Sequence, residues 1–478
     1  MYNNFLVTIG LEIHAQLKSQ TKLFSPDKAG WTTGENDEIH PISLALPGTL
    51  PVLNETALKM ALKTALAFKG NIKNKSVFAR KNYFYPDLPK GYQISQYNKP
   101  FCEGGRVNFF NNESTVSIPL ERIHLEEDAG RSLHKGSYTL INFNRAGIAL
   151  LEIVTKPEIK DPHIASLCAK AIRRTLRYLE VCDGNLEEGS MRCDCNISLR
   201  PKGQNHLGQK VELKNINSFR FIEKALFYEI NRQTEILKKG EKVQQETRLY
   251  DSSKNQTHPM RSKESASDYR YFPDPDLLPI FFEKAFLKNL KLPELPFEKS
   301  QRFIKDYQLK AETAQTLIEN KQSADYFEQI ASEIKDPQKL SFWILGEVQA
   351  QLNQRNENFC PIPAKDFSSL LKMINKSIIS NKMAKEIFNE MWEKGLSPEE
   401  IIETKNIKQI SGEKELRTLI IQILKKHPQQ VKAYKSGKNK LFGFFVGQAM
   451  KESKGQANPQ KLSQLLTEEL EKYESGWN

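Results

Sequence analysis

The sequence has few cysteines and no long apolar run. Only six of its 478 residues are cysteine, and their irregular positions (102, 168, 182, 193, 195 and 360) exclude a disulfide framework of the kind that stabilises small secreted domains. Nowhere do eighteen apolar residues follow one another, which excludes a transmembrane helix. The first residues, MYNN, lack the charged and apolar regions of a secretory signal. We therefore expect a cytoplasmic protein with reduced thiols and no membrane contact.

Common nucleotide-binding and nucleophile motifs are missing as well. The sequence contains no Gly-x-Gly-x-x-Gly and no Gly-x-Ser-x-Gly. Residues 203–210 imitate a P-loop, but glutamine follows the second glycine, and the segment lies between two predicted strands rather than before a helix. If this chain handles ATP, we expect it to do so on an open sheet.

Length and charge set the scale of the molecule. At the usual size per domain, 478 residues predict about three domains with a large core. The formal net charge is +12, and residues 425–454 hold eight lysines against one acid, with glycines and phenylalanines between them. This distribution favours a surface that faces a nucleic acid, although a solvated lysine face on a helical tail explains it comparably well.

Three segments alternate between apolar and polar residues, which predicts half-buried strands. Residues 7–18 and 191–200 each turn apolar side chains to one face and polar ones to the other. Residues 122–126 place Ile123 and Leu125 inward. The opposite, open faces carry Glu12, His14, Arg122, His124, Glu126, Arg192 and Asp194.

Helix signals fall between the strands without regular alternation. Asn54, Asp161 and Ser218 are each placed to cap an amphipathic helix. Several predicted strands follow one another between residues 75 and 155, so an α+β fold fits better than a doubly wound parallel sheet. We expect an antiparallel or mixed sheet with helices on one face. Proline-rich stretches and the loss of strand signals divide the chain into segments 1–294, 295–404 and 405–478, the last two all-α.

Four carboxylates lie in predicted strands, namely Glu12, Glu126, Glu152 and Asp194. A carboxylate in an apolar run such as residues 149–154 is costly unless it is paired, protonated or bound to a metal. If the four share one face, neighbours about 7 Å apart repel by ~2 kcal/mol per pair at an effective dielectric of about 20. Such a cluster therefore needs cations.

Two kinds of cation satisfy that need, and the residues leave both open. One is a divalent ion, for which oxygen ligands shared with nucleotide phosphates indicate Mg²⁺. The other is an ion-pair network with Arg122, Arg192 and Lys214. His14 lies two residues from Glu12 on the same face, which places it to act as a ligand or to support one.

Two loops interleave cations with aromatic residues. Residues 80–90 contain Arg80 and Lys81, and residues 268–276 contain Arg270. Either loop could hold phosphate oxygens, but packing as a tyrosine-rich surface loop explains the spacing at least as well.

Nine segments, spread nearly from end to end of the chain, form an ordered set of motifs. The segments are IGLEIH (9–14), LPGTLPVLN (46–54), RKNYFYPD (80–87), YQISQ (92–96), HLEEDAG (124–130), EGSMRCD (188–194), ELKN (212–215), DYRYFP (268–273) and VGQAMK (446–451). Together they closely resemble one family, the GatB subunit of the bacterial aspartyl/glutamyl-tRNA amidotransferase, and this many motifs in order is highly specific.

The resemblance implies both a fold and a reaction. It implies a cradle domain related to glutamine synthetase, then a helical domain and a tail domain that binds tRNA. The implied enzyme is a carbon–nitrogen ligase that converts Glu-tRNA(Gln) or Asp-tRNA(Asn) into Gln-tRNA(Gln) or Asn-tRNA(Asn). ATP phosphorylates the side-chain carboxylate of the misacylated residue, and ammonia then displaces the phosphate. The sequence leaves open which of the two tRNAs is the natural substrate.

The resemblance also assigns roles to individual residues. Glu127 or Asp128 could take the place of Glu126, because the motif has three acids in a row. For catalysis and Mg²⁺ binding the matching positions are Glu12, His14, Glu126, Glu152 and Asp194. For contacts to the nucleotide they are Lys81, Tyr83, Ser190 and Arg192. For tRNA binding we expect the tail lysines Lys435, Lys438, Lys440, Lys451 and Lys454.

Partners and a missing metal site complete the expectation. The chain has no convincing nucleophile for glutamine hydrolysis, and the family forms a heterotrimer with an amidase (the A subunit) and a small protein (the C subunit). Many relatives carry cysteine pairs for zinc just before the Leu-Pro-Gly motif, whereas residues 23–27 and 40–43 have none, so we expect no structural zinc. Cys193 and Cys195 should be buried small hydrophobes. The rival hypotheses are a metal-dependent nuclease and a non-catalytic RNA-binding scaffold.

Overall fold

The computed structural model describes residues 4–30, 34–260, 269–376, 378–405, 412–453 and 457–473. The chain divides into two compact units, residues 1–301 and residues 302–478. The first contains a large sheet with helices, and the second is built from helices.

The described strands are short apart from three long ones that form the centre of the first unit. They are β1 (Phe5–Gln16), β2 (Asn71–Ile72), β3 (Lys75–Ser76), β4 (Ala79–Asn82), β5 (Tyr92–Ser95), β6 (Cys102–Glu103), β7 (Arg106–Asn111), β8 (Ser114–Glu127), β9 (Arg131–Lys135), β10 (Tyr138–Asn142), β11 (Ala149–Thr155), β12 (Met191–Pro201), β13 (Val211–Lys214), β14 (Glu246–Asp251), β15 (Gln256–Pro259), β16 (Phe272–Pro273) and β17 (Ile280–Phe281).

The first three of the described helices each lie between strands, and from the fourth onward the helices follow one another. They are α1 (Glu55–Ala67), α2 (Pro162–Tyr178), α3 (Phe219–Lys238), α4 (Lys284–Lys288), α5 (Pro296–Asp306), α6 (Ala311–Leu317), α7 (Lys321–Ala331), α8 (Pro337–Trp343), α9 (Gln349–Arg355), α10 (Ala364–Asn375), α11 (Asn381–Lys394), α12 (Pro398–Lys405), α13 (Glu413–Lys426), α14 (Pro428–Lys435), α15 (Leu441–Glu452) and α16 (Pro459–Lys472), and a π-helical turn (Ile344–Val348) joins α8 to α9.

The main sheet is mixed, as the sequence predicts. Its strands run in the order β15-β14-β13-β12-β1-β11-β8-β5-β4-β16; β6 and β7 also pair with β8, and β2 pairs with β6. The pair β13–β14 is parallel, and the pairs on either side are antiparallel. Buried residues of α1, α2 and α3 belong to the same apolar core as Ile9, Leu11 and Ile13 of β1. Because strand side chains alternate, the helices cover one face of the sheet and leave the face of Glu12 and His14 for other contacts. The α+β fold followed by an all-α region is confirmed.

Three helices begin where capping residues predict. Asn54 accepts a hydrogen bond from the backbone N–H of Ala57, Asp161 caps α2, and Ser218 caps α3. Each side chain satisfies backbone donors that the first helical turn leaves without partners. Cys193 and Cys195 are buried in the core, as expected.

The second unit contains a separate apolar core near its C-terminal end. Buried leucines and isoleucines of α13 and α16 pack there with Phe445 and Ala449 of α15. Among the described residues, no helix is both long and apolar enough to cross a membrane. The predicted boundary near residue 404 lies beside residues 406–411, which are outside the described residues, so a third domain stays a prediction.

One expectation about the sheet is wrong. The alternation of residues 122–126 predicts an open face, but His124 is fully buried and Glu126 is 5% exposed. The ring of Tyr97 lies edge-on to the imidazole of His124, with 6.1 Å between ring centroids. Alternation predicts which face a side chain occupies, but it does not predict that another segment covers that face.

A buried ion network on α3 predicts how stability depends on charge. The carboxylate of Glu229 is fully buried and accepts hydrogen bonds from Arg232 (2.6 and 2.9 Å) and Gln233 (2.8 Å). Glu229→Ala leaves the buried amide of Gln233 without its acceptor and deprives Arg232 of its nearest carboxylate, and it should lower the free energy of unfolding by ~3 kcal/mol, measured by chemical denaturation. Glu235→Ala is the matched control, since its pair with Lys238 on the same helix is exposed. Equal destabilisation by both variants would contradict the expectation.

Candidate active site

The predicted acids and His14 converge on the centre of the sheet. Glu12 lies opposite Asp194 across β1 and β12, and His14 lies opposite Glu152 across β1 and β11. Glu152 in turn lies opposite His124 of β8. Cross-strand neighbours on one face are within side-chain reach of each other, so the register alone gathers these residues.

His14 is the centre of this group, which we call the carboxylate–histidine cluster (Glu12, His14, His124, Glu126, Glu152 and Asp194). Its Nε2 atom lies 3.4 Å from an oxygen of Glu12, 3.5 Å from Glu152 and 3.7 Å from Glu126. Two sets of possible ligand atoms share it: Glu12, His14 and Asp194 form one, and His14, Glu126 and Glu152 form the other. Within each set the atoms lie within 4.8 Å of one another.

The crowding of carboxylates changes their protonation. Burial alone would lower the pKa of His14, but a hydrogen bond to Glu152 and the surrounding negative charge, chiefly that of Glu126, raise it to about 9. Burial raises the pKa of Glu126 to about 7 against the opposing effect of His14. Burial would also raise the pKa of Glu152, yet the adjacent imidazoles of His124 and His14 hold it well below its usual range. Without a metal, the imidazolium of His14 is thus one cation of the cluster.

The three consecutive acids at the end of β8 have different partners. Glu126 lies in the cluster, whereas Glu127 accepts a 2.6 Å hydrogen bond from Lys90. Asp128 accepts hydrogen bonds from Gln16 (2.6 Å) and Arg192 (3.0 Å). Of the three acids, Glu126 is thus the one that lies in the cluster, and its role as the metal ligand stays a prediction.

The cluster suits a divalent metal. Both ring nitrogens of His124 are buried and have no hydrogen-bond partner among the described residues. One of them, Nε2, lies 3.4 Å from an oxygen of Glu152. Burial lowers the pKa of His124 to about 4, so its imidazole is neutral, as a metal ligand must be. Carboxylate oxygens supply most of the donor atoms of the cluster, and such oxygens suit Mg²⁺ and Mn²⁺.

Ion pairs are present beside the cluster too. Lys214 lies 3.0 Å from Asp194 and 3.2 Å from Glu212. Arg122 lies 3.7 Å from Glu152. Each of these cations pairs with a carboxylate of the cluster, and neither takes the place of His14 at its centre. An ion-pair network and a metal site are therefore compatible in one structure.

Three of the four residues expected to contact a nucleotide lie around the cluster. Lys81 lies over the rings of Tyr83 (5.5 Å) and Tyr269 (4.8 Å). Its positive charge lowers the pKa of Glu126 and so opposes the effect of burial there. Arg192 pairs with Asp128 and lies opposite His14 in the register.

Ser190 is placed differently. Its hydroxyl is buried and donates a hydrogen bond to Asp183. This contact lies in the turn before β12 rather than in the cluster, and its role in nucleotide binding stays a prediction.

A cavity of about 680 Å³ adjoins the cluster through Asp194 and Arg192. Its wall also contains Arg131 and Arg145, together with the acids Glu35, Glu187 and Glu188. The volume is in the range of ligand-binding cavities, and the three guanidinium groups can receive an anionic part of a ligand beside those carboxylates.

The tail lysines divide into four cases. Lys438 and Lys440 line an open cavity of about 710 Å³ with glutamines and asparagine, and Lys451 is exposed on α15. Lys435 donates a hydrogen bond to the backbone carbonyl of Tyr473. Lys454 is outside the described residues. Their contact with tRNA stays a prediction.

The sequence did not lead us to expect His124 as a metal ligand, or Tyr97 as a residue of the site. A signal for His124 existed, since it precedes Glu126 by two residues just as Glu12 precedes His14. No local pattern points to Tyr97, because it lies in the turn after β5 and contacts His124 and Arg122 of β8, which are distant in the sequence.

Comparison with known proteins agrees with this geometry. Residues 7–288 match the family described as the GatB/GatE catalytic domain, and residues 325–470 match the family described as the GatB domain. This chain belongs to the GatB family. The B subunit of the aspartyl/glutamyl-tRNA(Asn/Gln) amidotransferase of Bdellovibrio bacteriovorus is 50% identical over 467 residues, which cover 97% of this chain and 98% of that protein.

Other relatives are similar over the same length. The protein of the same description from Nitrosococcus oceani is 48% identical, covering 97% of this chain and 98% of the relative. The one from Persephonella marina is 45% identical, covering 98% and 99%. The resemblance noted from the sequence motifs is thus confirmed, and the cluster lies inside the GatB/GatE catalytic domain.

The partners of the three consecutive acids predict different effects of neutralising them. Glu126→Gln should weaken Mn²⁺ binding, followed by electron paramagnetic resonance with Mn²⁺ in place of Mg²⁺, by about tenfold or more, because a ligand charge is lost. Glu127→Gln is the control and should leave the affinity within about threefold, because its carboxylate faces Lys90. A larger loss in Glu127→Gln than in Glu126→Gln would contradict the assignment.

Proposed function

We propose that this chain is the kinase and transamidase component of a tRNA-dependent amidotransferase. Amidotransferase activity of the ligase type follows from membership of the family. The finer assignment is phosphorylation of the side-chain carboxylate of Glu-tRNA(Gln), Asp-tRNA(Asn) or both, followed by amidation. One observation carries it: the carboxylate–histidine cluster adjoins a cavity with Arg131, Arg145 and Arg192 in its wall.

The chemistry explains why such a cluster is needed. A carboxylate resists attack by ammonia because its leaving group would be oxide. In the first step a carboxylate oxygen of the aminoacyl group forms a bond to the γ-phosphorus of ATP, and the bond to the β–γ bridging oxygen breaks, releasing ADP. In the second step ammonia forms a bond to the acyl carbon, phosphate leaves, and the new amide gives up a proton. The first step brings anions together, so cations must offset the repulsion.

The cluster residues would hold the metal that this reaction requires. Glu12, His14, Glu126, Glu152 and Asp194 are the proposed ligands of Mg²⁺, with His124 now added. When bound, Mg²⁺ would neutralise phosphate charge near the reacting carboxylate. Because metal binding requires a neutral imidazole, the proton on His14 must be displaced.

The residues around the cluster position the substrates. Arg192, fixed by Asp128, presents its guanidinium to the cavity, and Lys81 supplies a second cation near Glu126. We propose that both contact phosphate oxygens, with Tyr83 beside Lys81. Ser190 is the weaker part of this assignment because it donates to Asp183.

Ammonia must come from another protein of the complex. The relatives are named as B subunits, which supports a complex of several chains. We propose a heterotrimer in which an amidase, the A subunit, supplies ammonia and a small C subunit completes the assembly, with tRNA held by the lysines of the tail. A cytoplasmic location is the expected setting.

Neutralising cluster carboxylates tests the proposed reaction. Glu12→Gln and Asp194→Asn should lower tRNA-dependent ATP hydrolysis by the reconstituted complex by about a hundredfold or more, because the reacting anions lose their neutralising ion. Glu235→Gln on the exposed face of α3 is the control and should keep full activity.

Three other outcomes would contradict the proposal. Full activity in both cluster variants would reject the assigned residues. RNA cleavage without ATP would indicate a metal-dependent nuclease, and absence of Mg²⁺-dependent nucleotide binding would indicate a scaffold.

Charge reversal in the tail tests the tRNA surface. The double variant Lys438→Glu and Lys440→Glu should weaken tRNA binding about tenfold and reduce the slope of log affinity against log salt by about two, while tRNA-independent nucleotide binding is unchanged. Lys414→Glu, between Glu413 and Glu415 on α13, is the control. An unchanged affinity in the double variant would refute this surface.

A further inference from the structure

We infer that Arg122 contacts the transferred phosphoryl group, and that Tyr97 and Tyr271 hold its guanidinium in place for that contact. This inference rests on the proposed function, since it assigns a further catalytic residue and two positioning residues to the same site. The residues expected to contact the nucleotide are Lys81, Tyr83, Ser190 and Arg192, so Arg122 is an addition.

The guanidinium of Arg122 has unused hydrogen-bonding capacity. Its Nη2 atom lies 3.7 Å from Glu152, which is an ion pair but too long for a hydrogen bond. Its Nε atom is buried and has no hydrogen-bond partner among the described residues. A buried guanidinium N–H without an acceptor is costly, and here it lies beside the cluster where an anion is to bind.

Aromatic rings hold Arg122 in this position. The ring of Tyr97 lies 4.4 Å from the guanidinium carbon, within the range of a cation–π contact. Tyr271 stacks on Tyr97 with 5.5 Å between ring centroids and 14° between ring planes. The stack Arg122–Tyr97–Tyr271 therefore restricts the side-chain freedom of the arginine before any ligand binds.

Strand pairing fixes the outer end of the stack. Residue Phe272, next to Tyr271, pairs with Arg80 across β16 and β4. The guanidinium of Arg80 donates 2.8 Å hydrogen bonds to Asp274 and to Asp276. The segment that carries Tyr271 is thus anchored to β4, which explains how two distant aromatic motifs of the sequence form one structure.

The position of Arg122 suits the moving phosphoryl group. Arg122 borders the cluster on β8, whereas Lys214 and Arg192 border it on β13 and β12. During phosphoryl transfer the negative charge spreads over three equatorial oxygens while the bond to ADP breaks and the bond to the carboxylate forms. A guanidinium offers two parallel N–H donors for such oxygens, which a lysine cannot imitate.

The alternative role for Arg122 is only to neutralise the charge of Glu152. Measurements of nucleotide binding distinguish this role from contact with the phosphoryl group. In the assembled complex with Mg²⁺, we would measure the affinity for ADP and for β,γ-methylene-ATP by calorimetry. Arg122→Gln and Arg122→Lys should each weaken binding of the ATP analogue about tenfold or more and leave ADP within about threefold. Arg106→Gln, an arginine on β7 that contacts Ser117, is the control.

The results distinguish the alternatives. Equal loss for both nucleotides, or full affinity in Arg122→Lys, would overturn the inference, since charge alone would then suffice. If the unaltered complex binds neither nucleotide, the proposed function itself fails, whatever the variants do.

The aromatic stack is tested by one ring at a time. Tyr97→Leu should reduce kcat about tenfold with the KM for tRNA unchanged, because Arg122 loses its fixed orientation. Tyr97→Phe keeps the ring and should restore kcat. Equal loss of kcat in both variants would remove Tyr97 from the inference, and an unchanged kcat in Tyr97→Leu would remove the stack.

Discussion

The electrostatic balance around His14 is the constraint on which the site depends. Four carboxylates lie close together in the middle of a sheet, three of them within 4 Å of one imidazole nitrogen. Charges this close and this shielded from water cannot all remain ionised without compensation. The protein compensates with a raised pKa at His14 and with flanking cations such as Lys214, and a bound divalent ion would add to that balance. Perturbed pKa values gathered in one place are typical of functional sites.

Strand pairing in the sheet brings together side chains that are far apart in the sequence. Antiparallel pairing places Glu12 against Asp194 and His14 against Glu152, although these pairs are far apart in the sequence. The helices on the opposite face bury the apolar halves of the same strands, so packing on one face fixes the position of the acids on the other. Stability and site geometry share the same register.

Much of this was predictable from the sequence, for identifiable reasons. Alternation predicted β1 and β12, and the side chains of Asn54, Asp161 and Ser218 predicted where three helices begin. Such signals are local, since they depend on residues a few positions apart. The four acids were also found, because a carboxylate in an apolar strand conflicts with its surroundings. Non-local contacts set the limit: the ring that lies against His124 belongs to Tyr97 of another segment, and no local pattern indicates which of the three acids around the end of β8 meets which cation. The family resemblance located the motifs, but only the fold shows which of them touch.

The end of β8 has a consequence for how this protein can change. Three consecutive acids there each contact a different cation: Glu126 contacts His14 of the cluster, Glu127 contacts Lys90, and Asp128 contacts Arg192. Inserting or deleting one residue within β8 would turn the acids that follow it to the opposite face of the sheet and separate all three from these partners. We therefore expect insertions and deletions to be tolerated in the loops around this strand and not within it.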